Sequence, residues 1–394
     1  MAKKNDDFFN VKKEWSIVKD DILACYFKPY VSKILHTYKP LVYVDCFAGK
    51  GMFDDGKPGS PLIALNIVEE CLQSTTARNP NIETFFIDLN YGEDLKKNLI
   101  AFPLAQIVPG KYEDNINSIL AGKAKKNVFL YIDPYGIKAL KCSLFDKFSN
   151  GQFNSIELLI NLNSFGFIRE ACNALGTTFQ DKEIFDDLVE YAPAQMDASQ
   201  KSITELNEIA GGYYWQSIIL EYKKGKISGY DAEELFAEKY RQRLMNSYRY
   251  VLNMPLRIKP RQRPKYRLIH ATNHRDGCLL MVDNICKRWE SLQEIQQSGQ
   301  MMLWEEDCNN QTVDTAKIAQ NVIEHFKKYR DWVSVSDALA EFFTENGPIC
   351  PTSEVRKVLQ ELEKDKLLDV KRSPDKGKFM IEAHGKTVEV RWKI

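Results

Sequence analysis

The sequence predicts an α/β fold, in which a mostly parallel sheet carries helices on both faces, followed by a smaller domain of helices and a hairpin. Short apolar runs alternate with helical segments in the first part of the chain, and this alternation is typical of parallel sheets. The pattern changes after Asp314. Apolar residues make up 44% of the 394 residues, which is enough for two cores.

A leading amphipathic helix is predicted over residues 14–37, where apolar residues recur at helical spacing. Strands are then predicted at 41–46, 84–88, 105–108, 128–132 and 156–161. A helix is expected from Ser60, with Ser60 capping free amides and Pro61 in the first turn. Segments 266–271 and 277–282 have strand or buried-helix character and are candidates to complete the sheet.

The region from about 170 to 250 reads as a helical insertion in a Rossmann-like domain spanning 1–310. After Asp314, helices are predicted at 315–329, 336–346 and 353–367, followed by two short strands around 375–378. This order is that of a winged helix. We therefore expect a second, winged-helix-like domain over 311–394.

The cysteines and the amino terminus indicate a cytoplasmic protein. No C-x-x-C pair and no Cys/His cluster occurs among the nine cysteines, so we expect reduced thiols and no metal site. Residues 1–7 are polar, and no stretch approaches the roughly 20 apolar residues of a membrane span. The 54 basic and 54 acidic residues cancel, so net charge predicts no partner.

The run from Leu41 to Gly51 is an apolar strand that ends in Asp45 and opens into a loop with two glycines. Such glycines let the backbone approach a bound ligand. The dinucleotide pattern G-x-G-x-x-G fails because Asp54 stands in place of the third glycine, and the phosphate-loop pattern is absent. These departures disfavour cofactors that are bound through their phosphates.

S-adenosylmethionine fits better, because it carries an amino end, a sulfonium and a ribose but no phosphate. Asp45 is a candidate to attract the amino end, and Asp88, at the end of the next strand, to hold the ribose hydroxyls. The alternative is that both are acids at solvated strand ends. The polar segment 52–59 is either a surface loop or a lid over the ligand.

A second apolar strand ends in Asp133-Pro134-Tyr135-Gly136. Asp133 and the Pro134 carbonyl can accept hydrogen bonds from an exocyclic amine, and Tyr135 can stack on a base, as in the recognition of flipped bases. The alternative is a turn whose Pro and Gly only set geometry. Further on, Asn163 and Ser164 either line the substrate side or cap the next helix.

These motifs together resemble the three-Cys-motif partner proteins, TcmP. The resemblance rests on Asp-x-Phe-Ala-Gly-x-Gly at 45–51, the segment 59–65, the box at 133–136, the turn at 163–165 and Ala-Thr-Asn-His at 271–274. It implies a class I S-adenosylmethionine-dependent methyltransferase-like fold, and a partner with a three-cysteine motif similar to radical S-adenosylmethionine enzymes. It also implies that Asp45, Phe47, Gly49 and Gly51 bind the cofactor.

The same resemblance puts Asp133, Pro134 and Tyr135 on the D-P-P-[YF] box of amino-methyltransferases. This chain lacks the second proline, and its aromatic residue stands one place earlier. The stacking geometry of an adenine amino-methyltransferase therefore does not transfer directly.

The segment 239–267 contains ten basic residues and no acid, with tyrosines between them. Prolines keep its later part extended, which suits a phosphate backbone. The residues predicted to bind nucleic acid are Arg257, Lys259, Arg261, Arg263, Lys265 and Arg267. The alternative is a basic face paired with acidic helices at 181–190 and 231–238.

Two functions follow from these patterns. One is an S-adenosylmethionine-dependent methyltransferase-like enzyme that acts on a nucleic acid base together with a three-Cys-motif partner. The other is a non-catalytic subunit of the same fold that binds nucleic acid and recruits that partner. A small-molecule methyltransferase is a third hypothesis, which leaves the basic segment 239–267 without a role.

Overall fold

The computed structural model describes residues 7–77, 79–179, 200–256, 266–298, 315–375, 377–383 and 385–393. The chain forms two compact units, Met1–Asn273 and His274–Ile394. The domain boundary predicted near 310 lies outside the described residues. Among the described helices, none combines the length and the apolar character that crossing a membrane requires.

The first unit contains a seven-stranded sheet with the order β3-β2-β1-β4-β5-β7-β6. The strands are β1 Leu41–Asp45, β2 Ile82–Asp88, β3 Ala105–Pro109, β4 Asn127–Ile132, β5 Ser155–Leu162, β6 Tyr250–Leu256 and β7 Tyr266–Thr272. Strands β1 to β5 pair in parallel, and β7 runs antiparallel between β5 and β6. This is a Rossmann-like sheet, and the predicted mostly parallel α/β fold is confirmed.

Helices cover this sheet, and their apolar faces explain the unbroken apolar strands. They are α1 Asp7–Asn10, α2 Glu14–His36, α3 Ser60–Ser74, α4 Gly92–Asn98, α5 Tyr112–Leu120, α6 Cys142–Ser149, α7 Ser164–Ala174, α8 Gln200–Ala210, α9 Tyr214–Lys223 and α10 Gly229–Leu244. Every residue of β1, β4 and β5 is buried, as expected for strands covered on both faces. On one face, Phe27 of α2 packs on Tyr43 and Phe129.

The second unit contains four described helices and a three-stranded antiparallel sheet of order β8-β10-β9. Its elements are α11 Arg275–Ser298, α12 Thr315–Phe326, β8 Val333–Ser334, α13 Val335–Asn346, α14 Thr352–Lys364, β9 Leu368–Ser373 and β10 Thr387–Trp392. Residues 277–282, candidates to complete the main sheet, lie in α11 instead. A short apolar run cannot distinguish a strand from a buried helix, and here it continues as a helix of 24 residues.

Candidate active site

The carboxyl ends of β1 and β4 form the candidate ligand site of this sheet. These two strands are neighbours, and the chain continues from β1 to β2 on one side and from β4 to β5 on the other. In open α/β sheets, ligands bind outside the carboxyl ends of the strands, at such a switch point. Asp45 ends β1, Asp88 ends β2 and Asp133 follows β4, so the three predicted acids lie along one edge.

The glycine loop has the backbone conformation that its sequence predicts. Gly49 and Gly51 have φ angles of +63° and +79°, in the left-handed region that favours glycine. Asp88 braces this loop. Its Oδ2 accepts a hydrogen bond from the Gly49 amide at 2.9 Å, and its Oδ1 accepts from the amides of Asn90 and Tyr91, each at 2.7 Å.

Asp45 is fully buried, so it is not the acid at a solvated strand end of the alternative interpretation. The Ser60 hydroxyl donates to its Oδ2 at 2.6 Å, and the amide of Phe47 donates to its Oδ1 at 3.2 Å. Burial raises the pKa of Asp45 to about 7. Phe47 itself is half-buried and packs against Tyr112 at a ring-centroid distance of 5.3 Å.

The prediction that Ser60 caps helix α3 is wrong. Gly59 takes the N-cap position of α3, Ser60 is the first helical residue, and Pro61 lies in the first turn as expected. The hydroxyl is directed to a carboxylate of a neighbouring element instead of a helix amide. Local sequence does not distinguish these outcomes, because the competing partner is 15 residues away in the chain.

Asp133 forms a charged contact that the sequence did not indicate. Its Oδ2 lies 2.5 Å from Nζ of Lys19, a residue of α2, and its Oδ1 accepts from Nδ2 of Asn161 at 2.6 Å. Lys19 is only 5% exposed, and its ammonium lies 4.4 Å from the ring centroid of Trp15. In the predicted box, Pro134 is buried and Tyr135 is 57% exposed.

A second lysine and acid lie beside this pair. Lys12 Nζ contacts Asp20 Oδ2 at 2.5 Å and donates to the carbonyl of Pro58 at 2.7 Å. Burial raises the pKa of Asp20 to about 6. Sequence reasoning missed Lys12, Lys19 and Asp20, because charged residues at the start of an amphipathic helix are usually solvated.

The residues of the basic segment that the structure describes are engaged inside the first unit. Arg267 is 7% exposed, and its guanidinium forms two hydrogen bonds to Glu233 of α10, at 2.8 and 2.7 Å. Arg243 pairs with Asp146, and Arg241 with Glu238. Arg257, Lys259, Arg261, Arg263 and Lys265 lie outside the described residues.

At the end of β5, the helix-cap interpretation of Asn163 is confirmed. Asn163 Oδ1 accepts from the amide of Gly166 at 2.7 Å, at the start of α7. Ser164 instead donates its hydroxyl to Glu233 at 2.5 Å. Glu233 therefore joins the ends of β5 and β7 through a hydroxyl and a guanidinium.

No family model matches the chain, and no curated protein matches it either. Three solved structures show distant similarity. A complex of Trm1 from Pyrococcus horikoshii with S-adenosyl-L-methionine is 10% identical, with 85% of this chain and 90% of that chain covered and a TM-score of 0.33.

A loganic acid methyltransferase with SAH is 9% identical, with 66% and 96% covered and a TM-score of 0.27. A geranyl diphosphate methyltransferase in complex with GPP and sinefungin is also 9% identical, with 62% and 77% covered and a TM-score of 0.24. At these low TM-scores, none of the three supports a ligand or a reaction for this chain.

Proposed function

We propose that the first unit binds S-adenosylmethionine at the carboxyl edge of β1, β2 and β4 and transfers its methyl group to a nucleobase nitrogen. One observation carries the proposal: the glycine loop after β1 is hydrogen-bonded to the acid that ends β2, beside the switch point between β1 and β4. The loop backbone at Gly49 and Gly51 and the carboxylate of Asp88 would hold the cofactor.

The chemistry of this edge suits such a ligand. Asp45 and Asp88 end its strands, Asp133 follows one, and Asp20 of α2 is near enough to influence the pKa of Asp45. The edge therefore offers negative charge to an amino group and a sulfonium and acceptors to ribose hydroxyls. S-adenosylmethionine supplies an electrophilic methyl group when bound. The acceptor nitrogen loses a proton as it gains the methyl group, and a carboxylate that accepts its hydrogen bond favours that loss.

Asp133 is the residue proposed for this acceptor role. Lys19 and Asn161 fix both of its oxygens, and a carboxylate oxygen has lone pairs left for a further hydrogen bond. Pro134 would add a backbone carbonyl, and the exposed ring of Tyr135 a stacking surface. Catalysis would then rest mainly on the positioning of the two reactants.

We propose that the second unit is a winged helix, a fold that can bind nucleic acid. Its described order of helix, strand, two helices and hairpin fits that fold. Several of its basic residues have internal partners, since Arg372 contacts Glu363 twice at 2.6 Å and Lys357 contacts Glu354 at 2.7 Å. The basic stretch 257–265 is therefore the stronger candidate for phosphate contacts, and a three-Cys-motif protein remains the proposed partner.

The alternative is a non-catalytic subunit that keeps this fold to bind nucleic acid and recruit the partner. The observation that favours it is that both oxygens of Asp133 already have partners within the chain. Calorimetric titration with S-adenosylmethionine separates the two functions. Binding in the micromolar range typical of substrates supports the enzyme, and absence of heat supports the subunit.

Activity is tested by mass analysis of nucleosides after expression with and without the partner. A new methylated nucleoside should appear with the wild-type chain and disappear with Asp133→Ala, while cofactor binding persists. A circular dichroism melt establishes that the variant is folded. Unchanged methylation with Asp133→Ala would contradict the role proposed for Asp133.

A further inference from the structure

The chain before α2 lies across the glycine loop. We call residues 7–13 the N-terminal arm. The amide of Asp54 donates to the Phe9 carbonyl at 2.8 Å, and the amide of Lys12 donates to Asp55 Oδ2 at 3.2 Å. The Lys12 ammonium reaches the carbonyl of Pro58. The arm is therefore attached along the segment 52–59, which the sequence presents as either a surface loop or a lid.

Within this arm, the ring of Phe9 lies directly against the backbone of Gly49. A Cβ atom on Gly49 would lie 2.8 Å from Cζ of Phe9, closer than real Cβ contacts allow, and 3.0 Å from its Cε1. Phe9 is 8% exposed, and its ring centroid is 4.9 Å from that of Tyr91 and 5.5 Å from that of Phe53. The space next to Gly49 is thus filled by a side chain of the same protein.

This arrangement conflicts with a ligand at the same place. A cofactor that approaches the Gly49 backbone from its Cβ side needs the volume that the Phe9 ring occupies, because two groups cannot both lie in van der Waals contact with that side of the glycine. Lys50 adds to the closed arrangement, since its ammonium lies 5.2 Å from the ring centroid of Phe9. Binding from this side of Gly49 therefore requires the Phe9 ring to leave.

We infer that Phe9 blocks the cofactor site of the free protein, and that S-adenosylmethionine displaces the N-terminal arm when it binds. The inference rests on the proposed function, because it concerns the same ligand at the same glycine. The affinity observed for a ligand falls with the fraction of molecules whose site is open. Phe9 is then a residue that sets cofactor affinity by competing for the site.

The first test is calorimetric titration of S-adenosylmethionine into the full-length wild type, Phe9→Ala and Phe8→Ala. Phe8 is the control in the same arm: its ring packs on those of Phe9, Phe53 and Trp15, whereas the atoms against the Cβ side of Gly49 belong to Phe9. We expect Phe9→Ala to bind S-adenosylmethionine roughly tenfold more tightly than the wild type. This factor corresponds to a wild type in which the site is open in about one molecule in ten. Phe8→Ala removes a contact of the Phe9 ring but leaves that ring in the chain, so it should tighten binding less than Phe9→Ala does. Melting curves establish that each variant is folded.

The second test uses the wild-type chain alone. Hydrogen exchange at the Asp54 amide reports on the arm, because this amide is bonded to the Phe9 carbonyl. Saturating S-adenosylmethionine should speed its exchange, whereas a lid that closes over the ligand would slow it.

Tighter binding by Phe9→Ala than by Phe8→Ala, with faster exchange at the Asp54 amide, supports the inference. Equal or weaker binding by Phe9→Ala, equal tightening by Phe8→Ala, or slower exchange overturns it and leaves the proposed function standing. Absence of binding to the wild type and to Phe9→Ala overturns the proposed function, and the inference with it.

Discussion

The two halves of the sheet's carboxyl edge hold their acids by different means. In the first half, at β1 and β2, Asp45 and Asp88 accept hydrogen bonds from a serine hydroxyl and from backbone amides, which are neutral donors. In the second half, at β4 and β7, Asp133 and Glu233 contact the cations Lys19 and Arg267.

The difference shows that one sequence pattern leads to two electrostatic outcomes. Asp45 and Asp133 both follow a fully buried apolar strand, yet only Asp133 contacts a lysine. Neutral donors do not compensate fully for burial, so the pKa of Asp45 is raised to about 7. Substitutions in the first half are therefore expected to change how the free energy of unfolding depends on pH. Substitutions in the second half are expected to lower that free energy by removing a counterion.

The largest effect is expected from Glu233→Ala in the second half. This change leaves the Arg267 guanidinium buried without its counterion, which costs about 3–5 kcal/mol of the free energy of unfolding. Urea denaturation measures the loss. Glu238→Ala on the same helix is the control, since its pair with Arg241 is more exposed and should cost less than about 1 kcal/mol. Equal losses for the two variants would contradict the buried pair.

The next effect concerns Lys19 and Asp133. Asp133→Ala should cost about 2–4 kcal/mol, because Lys19 is then buried beside Trp15 with its charge uncompensated. A double-mutant cycle with Lys19→Met should give a coupling of about 1–3 kcal/mol.

The matched control for this cycle is the exposed pair of Lys28, also in α2, and Glu70. Its coupling should stay below about 1 kcal/mol. If the two cycles give the same coupling energy, burial does not strengthen the contact between Lys19 and Asp133.

In the first half, Asp45→Asn should change how stability depends on pH. The folded pKa of Asp45, about 7, lies above its ordinary value of 3.8, so the folded state binds more protons between these values. The wild type therefore loses stability as pH rises from about 4 to about 7. The variant lacks this loss and should gain up to about 4 kcal/mol over the wild type across that interval.

Urea denaturation at a series of pH values checks this expectation. Asp20→Asn should give a change of the same sign over a narrower interval, because burial raises the pKa of Asp20 to about 6. A constant difference between Asp45→Asn and the wild type at all pH values would refute the assignment to Asp45.

The smallest effect is expected from Ser60→Ala, at about 1 kcal/mol for the lost hydrogen bond to Asp45. A capping role would give a similar loss, so the substitution is repeated in Asp45→Asn. If Ser60 acts through the carboxylate, its effect changes in that background. An unchanged effect would favour the cap that the sequence predicts.

Much of the fold was predictable, because it depends on local patterns. Continuous apolar runs precede Asp45 and Asp133 and predict the two strands. Gly49 and Gly51 predict the loop after the first of them. Residues 277–282 were ambiguous, since a glycine followed by five apolar residues fits either a strand or a helix. The predicted roles of the site residues remain predictions.

The sequence by itself determined that an α/β sheet forms and that acids follow its strands, because hydrophobic periodicity and strand-end residues act over a few positions. Only the tertiary structure decided the partners of those acids. Lys19 meets Asp133 across 114 residues, and Glu233 meets Arg267 across 34, through helices that pack on the sheet. Phe9 reaches Gly49 in the same way. Such contacts depend on how elements pack, which local sequence does not encode.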